Sequence, residues 1–321
     1  MKLLAAVTGL LVALTGAGTA HSRGEITFTA ETSHPGTETL YGARSDRSGL
    51  RTILGDVSKP VWSPAGYRFV FYSASSTCLG FCVANADGSH VRTVLRVSCG
   101  DGSDAAWSPG GRLLGLACTS GRSRVVVLRP DGTHAHAVAH ASGPGLPQLG
   151  GLAWSPSGSF LVFYKTRSRP GRLYGSLLSV GASGGRVRKL AAVHGFVSLD
   201  ERPSFSESGG TLAFQTDGSH FAFMDMATQR VTKTVRGSSP VFSPNGRRLA
   251  LHRRGGEYVA RTDASGAVRV CGSVQAVWSP DSRELAYIAI GPRVAVVGAN
   301  GRDRRTITRS YADMFEVEWR P

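Results

Sequence analysis

The chain has 321 residues, 41 glycines, an apolar fraction of 41% and a formal charge of +15. That is apolar enough to bury a sizeable core and too apolar for a disordered chain. The charge is mostly arginine, scattered singly or in pairs, with lysine only at Lys2, Lys59, Lys165, Lys189 and Lys233. No basic stripe stands out, so nucleic acid is not expected as a partner.

In chain order, the first segment is not fold. Lys2 precedes an apolar run from Leu3 to Leu14, followed by the small residues Gly16-Ala17-Gly18-Thr19-Ala20. This reads as a secretory signal peptide, residues 1–20, removed after Ala20. No later stretch is apolar enough to span a membrane. The expected location of the mature chain is therefore extracytoplasmic, periplasmic or secreted. Export makes the five cysteines Cys78, Cys82, Cys99, Cys118 and Cys271 candidates for disulfides.

From residue 62 onward the sequence repeats. Trp62-Ser63-Pro64-Ala65-Gly66 returns as WSPGG at Trp107, WSPSG at Trp154, FSESG at Phe205, FSPNG at Phe242 and WSPDS at Trp278. A last partial copy, Trp319-Arg320-Pro321, ends the chain. The steps are 45, 47, 51, 37, 36 and 41 residues, the length of a four-stranded propeller blade. The Ser-Pro-x-Gly segment presets one φ and frees another, which makes a tight turn. An apolar run follows each copy, such as Phe69-Val70-Phe71-Tyr72 and Phe160-Leu161-Val162-Phe163-Tyr164. Runs without alternation suit strands buried on both faces. Further on, segments such as NADGS (85–89) and RPDGT (129–133) mark a second hairpin in each unit.

Residues 25–55 hold three strands and lack the one ending in tryptophan. Met314-Phe315-Glu316-Val317-Glu318-Trp319 supplies it. The expected fold is one all-β domain over residues 21–321. It is a seven-bladed β-propeller of four-stranded antiparallel blades, closed by the C-terminal strand, with six blades as the alternative. Closure removes two sheet edges, and Trp319 is then a core residue.

These repeats resemble the WD40-like repeats of TolB-type β-propellers, whose pattern is W-S-P-D-G-x-x-L-A-F followed by N-A-D-G. WSPDS at 278–282 with Leu285-Ala286-Tyr287, FSPNGRRLAL at 242–251 and NADGS at 85–89 carry the likeness. It covers residues 25 to 321 and implies the fold. It says little about function, because these residues build turns and blade cores. TolB itself has six blades and an additional N-terminal α/β domain, for which residues 20–25 leave no room.

Three residues before each motif aromatic lies a ring of equivalent positions: Lys59, Asp104, Gly151, Arg202, Ser239, Gln275 and Glu316. In a propeller the inner strands line the channel, so the polar members are the candidate binding residues at a channel mouth. The pairs Asp200/Glu201 and Glu316/Glu318 lack the Asp-x-Asp-x-Asp loop of a calcium site. His134 and His136 read as one face of an outer strand. Gly181-Ala182-Ser183-Gly184-Gly185 matches a nucleophile-elbow pattern but falls in a hairpin turn. No metal or other cofactor is expected. Antiparallel pairing of 103–107 with 112–118 brings Cys99 and Cys118 together, with Cys78–Cys82 as a second disulfide. Irregular inserts at 142–150, 165–173 and 193–202 are the places to shape a binding mouth.

The residues show no nucleophile, base and orienting group together. The expected function is an exported, monomeric, non-catalytic scaffold that contacts protein or cell-envelope partners. The alternatives are a channel-mouth enzyme of lactonase or lyase type, and a binder of an anionic polymer or membrane surface.

Overall fold

The computed structural model describes residues 24–31, 38–99, 103–118, 123–141, 147–169, 172–195, 197–272 and 276–321. The segment 1–20, Gln275 and residues 142–146 lie outside them. Among the described residues there are 28 strands and no helix. They form seven four-stranded antiparallel sheets, the blades of a seven-bladed propeller.

Blade 1 is built from both ends of the chain. Its inner strand, Met314–Arg320, pairs with Glu25–Glu31, followed outward by Glu38–Arg44 and Arg51–Gly55. Trp319 lies opposite Ile26, and Glu318 opposite Thr27. Blades 2 to 7 take the chain in order, with inner strands Ser58–Trp62, Ser103–Trp107, Gln148–Trp154, Ser204–Phe205, Ser238–Phe242 and Ala276–Trp278.

The motif residues have structural work. In each full copy the serine after the aromatic residue caps the turn, its hydroxyl accepting the N–H five residues on. Ser63 does so for Arg68, Ser108 for Leu113, Ser155 for Phe160, Ser206 for Thr211, Ser243 for Arg248 and Ser279 for Glu284. The tryptophans staple blades together. Trp107, Trp154 and Trp278 donate their indole N–H to the carbonyls of Val61, Ala106 and Val241 on the preceding blade. Trp62 donates to the Thr27 hydroxyl of blade 1. All five tryptophans are buried, Trp319 included.

The apolar core is divided among the blade interfaces. Val317, Trp319, Ile26 and Phe28 of blade 1 pack on Ala286, Val294 and Val296 of blade 7. Val70, Phe81 and Val83 of blade 2 pack on Trp107, Leu114 and Leu116 of blade 3. Strands covered on both faces need continuous apolar runs, which explains the missing alternation.

Cys78 is joined to Cys82 and Cys99 to Cys118, with Cα separations of 6.4 and 5.0 Å. Cys271, outside both disulfides, is buried at the end of strand Val268–Cys271. Two details depart from the sequence reading. Residues 165–169 are not loop but the end of a long strand, Phe160–Arg169, which pairs with Arg172–Gly181. His134 lies in a turn with φ of 56°, ahead of strand His136–His140, so His134 and His136 do not share a strand face. Instead His136 contacts the carbonyls of His134 and Ala182 through its two ring nitrogens. Ser183 sits in the turn after strand Arg172–Gly181, with no helix behind it to form an elbow.

Candidate functional site at the channel mouth

The inner strands do not run straight into the channel. Those of blades 2, 4 and 6 each carry a bulge, at 58–61, 150–153 and 238–241. In each bulge the ring residue has positive φ: Lys59 at 49°, Gly151 at 65° and Ser239 at 49°. A bulge re-aims side chains and frees backbone donors, and positive φ at a non-glycine residue stores strain where the fold over-determines it. At Gly151 there is also no room for a side chain. A Cβ there would lie 2.6 Å from the carbonyl oxygen of Glu201 and 2.6 Å from the ring of Tyr164.

The segment before the inner strand of blade 5 fills this mouth. Asp200 Oδ1 accepts a 2.6 Å bond from Lys59 Nζ of blade 2. Arg202 reaches blade 3, where its Nη2 donates to Asp104 Oδ1 at 2.8 Å. The other oxygen of Asp104 accepts the backbone N–H of Leu152, next to the blade 4 bulge, at 2.7 Å. Between them, Glu201 Oε1 accepts from the Ser239 hydroxyl at 3.3 Å. The Ser239 N–H goes to Gln215 Oε1 at 3.3 Å. Four of the ring residues read from the sequence, Lys59, Asp104, Arg202 and Ser239, are thus tied together through residues 200–202. Gln275 lies outside the described residues.

Glu316 enters from blade 1, opposite Thr29, with Glu318 two residues on. Burial pushes the Glu316 carboxyl up to about 8; Glu318 and Glu38 add repulsion, against attraction from Arg202 and Lys59. Burial likewise raises Glu318 to about 7, opposed by Arg202 and by the backbone N–H of Trp62, which its carboxylate accepts. Burial raises Glu38, offset by Thr29 and Lys59. Glu201 is raised by burial too, offset by Ser239 and by His252. Burial opposes the charge on Arg202, but Asp104, Glu318 and Glu316 outweigh it and hold the guanidinium above its ordinary value. Behind Glu201, His252 Nδ1 stands 3.5 Å from the buried Glu257 carboxylate, which burial also raises.

Among the described residues the mouth thus holds the carboxyl groups of Glu38, Asp104, Asp200, Glu201, Glu316 and Glu318 against the cations Lys59 and Arg202, inside a chain of formal charge +15. Such a mouth holds protons near neutrality, and a cationic group that entered it would displace them. Among the described residues no three His, Cys, Asp or Glu side chains converge as a metal site. Glu38, Asp200, Glu201, Glu318 and His252 were not in the predicted ring. The acidic pairs at 200–201 and 316–318 were visible in sequence; Glu38 and His252 carry no motif signal.

No protein-family model matches the chain, and no curated protein matches it significantly in sequence. Solved structures are similar in fold. A TolB from Acinetobacter baumannii is 14% identical with a TM-score of 0.54, over 92% of this chain and 83% of that one. An oligogalacturonate lyase in complex with manganese is 11% identical with a TM-score of 0.62, over 90% and 86%. A protein named as a 6-phosphogluconolactonase from Bacteroides fragilis is 13% identical with a TM-score of 0.60, over 95% and 99%. At these identities the likeness is one of fold.

Proposed function

We propose that the chain is an exported, non-catalytic binding propeller of the TolB-like kind. Its channel mouth takes an amine or guanidinium group presented by a protein or cell-envelope partner. The observation that carries this is the excess of carboxylates at the mouth of a strongly basic protein. Residues 1–20 are its signal peptide, 21–321 its mature domain and monomer, and the two disulfides suit an oxidising compartment. Lys59, Asp104, Arg202, Ser239 and Glu316, with Asp200, Glu201 and Glu318, form the contact set.

The test is retention of partners from envelope extract on immobilised residues 21–321, compared with the double variant Asp200→Asn/Glu201→Gln. A discrete protein that survives a high-salt wash on the parent and is lost on the variant supports the reading. Equal retention on both, or none on either, refutes it.

A second reading is a channel-mouth enzyme, of lyase or lactonase type. The supporting observation is the carboxyl pair Glu316 and Glu318, held near 8 and 7 beside Arg202, values suited to proton transfer near neutrality. Turnover of a lactone or polyuronate that Glu316→Gln abolishes would replace the binding reading with this one.

A further inference from the structure

Each blade carries one motif aromatic, and in six of the seven it is buried: Trp62, Trp107, Trp154, Phe242, Trp278 and Trp319. Phe205 of blade 5 is partly exposed. Two departures from the repeat explain it. The segment that crosses the channel mouth leaves blade 5 an inner strand of two residues, Ser204–Phe205, against five or more in blades 1 to 4 and 6. Phenylalanine also lacks the second ring and the N–H with which Trp62, Trp107, Trp154 and Trp278 reach the blade before. Blade 6 has a phenylalanine too, but Phe242 is enclosed in a buried cluster with Phe221, Phe223 and Ala264.

The room left between blades 4 and 5 is a cavity of about 550 Å³, within the range of small-molecule sites. Phe205 and Phe160 line it as a T-shaped pair, with ring centroids 5.9 Å apart. Val180, Leu190 and Met226 add further apolar lining, while Gly181, Gly184 and Gly209 bring no side chain to fill it. Phe160, Leu190, Phe205 and Met226 pack on the buried cluster of Val162, Leu212 and Met224 yet stay partly exposed. Apolar surface is thus kept in water at one concave place, a cost that a bound apolar group removes. The charged lining residues, Arg186 and Arg188, are exposed, so the apolar wall sets the character of the site.

We propose that this cavity binds a small ligand through a flat fused aromatic ring of indole size, packed against Phe160 and Phe205 with the Met226 thioether beside it. The protein itself shows the fit, since at four other blade junctions an indole ring bridges the motif position to the preceding blade. Ring–ring and sulfur–ring contacts favour an aromatic body over an aliphatic one of the same size. The lining shares no residue with the channel mouth, so the inference stands apart from the cation reading given there.

The test is isothermal titration of residues 21–321 with indole, and separately with cyclohexanol as an aliphatic body of similar size. Saturable indole binding is expected, about tenfold tighter than that of cyclohexanol. Phe205→Trp supplies the ring from the chain itself and should weaken indole binding by about tenfold. If that variant does not unfold cooperatively like the parent, Met226→Ala serves in its place, with about threefold weakening expected. Val231→Ala, which trims an exposed apolar residue of blade 5 outside the cavity, should leave indole binding unchanged. The proposal is overturned by the absence of saturable indole binding, or by cyclohexanol binding as tightly. It is overturned equally if the lining substitution leaves binding unaltered, or if Val231→Ala weakens it as much.

Discussion

Replacing Glu316 by glutamine should stabilise the protein in alkaline solution and leave it nearly unchanged in acid. The carboxyl sits near 8 in the fold and at 4.5 as its ordinary value. The folded chain therefore keeps a proton between those values that the unfolded chain has already lost. The contribution is full below the unfolded value and is lost as pH rises through 8. At 1.36 kcal/mol for each tenfold in proton affinity, the ionised group costs a ceiling of about 5 kcal/mol above pH 8. Channel water and Arg202 screen it, so about 2 kcal/mol is the expected gain for Glu316→Gln at pH 9. At pH 5 the two proteins should agree within about 1 kcal/mol. Urea unfolding of both at each pH measures the difference. A variant less stable at pH 9 would mean that ionised Glu316 is a needed partner of Arg202. The account of the mouth as overloaded with carboxylates would then be wrong.

Three further outcomes follow from the closure and its pins. Arg305 makes two bonds to the Glu284 carboxylate, at 2.7 and 2.9 Å, and a third to the Ser45 carbonyl of blade 1; Glu284 is buried and Arg305 partly buried. Arg305→Ala should cost about 3 kcal/mol in urea unfolding, and Arg305→Lys should recover only part of it. Deleting residues 314–321 removes the inner strand of blade 1 and the buried Val317 and Trp319. Cooperative thermal unfolding should be lost, and adding the segment as a peptide should restore it. Non-reducing peptide mapping should recover 78–82 and 99–118 as linked pairs. Replacing both Cys99 and Cys118 with alanine should lower stability by about 3 kcal/mol, the loop spanning 19 residues.

The blades were legible in sequence because their signal is local and repeated. Ser-Pro-x-Gly is a turn wherever it stands, and Ser63 or Ser279 bonds its own strand five residues on. Even closure could be read, since the strand missing beside 25–55 had one counterpart, at 314–320. The mouth was half legible. Position counting picked out Lys59, Asp104, Arg202, Ser239 and Glu316 as candidates, because positions three before the motif aromatic recur at one height from blade to blade. It did not find that Asp200 and Glu201 fold back over the ring, because that depends on a segment with no repeat partner. Nor could it find the bulges at Lys59, Gly151 and Ser239, since Lys59 and Ser239 do not belong to the residue types that favour positive φ. His252 belongs to a neighbouring strand and meets Glu201 only through the pairing of Ser238 with His252. The long hairpin of blade 4 went unread for a different reason. Residues 165–173 differ in length from the other blades, and extra length is visible in sequence. Whether it becomes loop or strand is decided by cross-strand partners, Lys165 with Ser176 and Arg167 with Tyr174. Repetition therefore encodes the scaffold, while the candidate site lies where the repeat is broken, at the crossing segment 198–203.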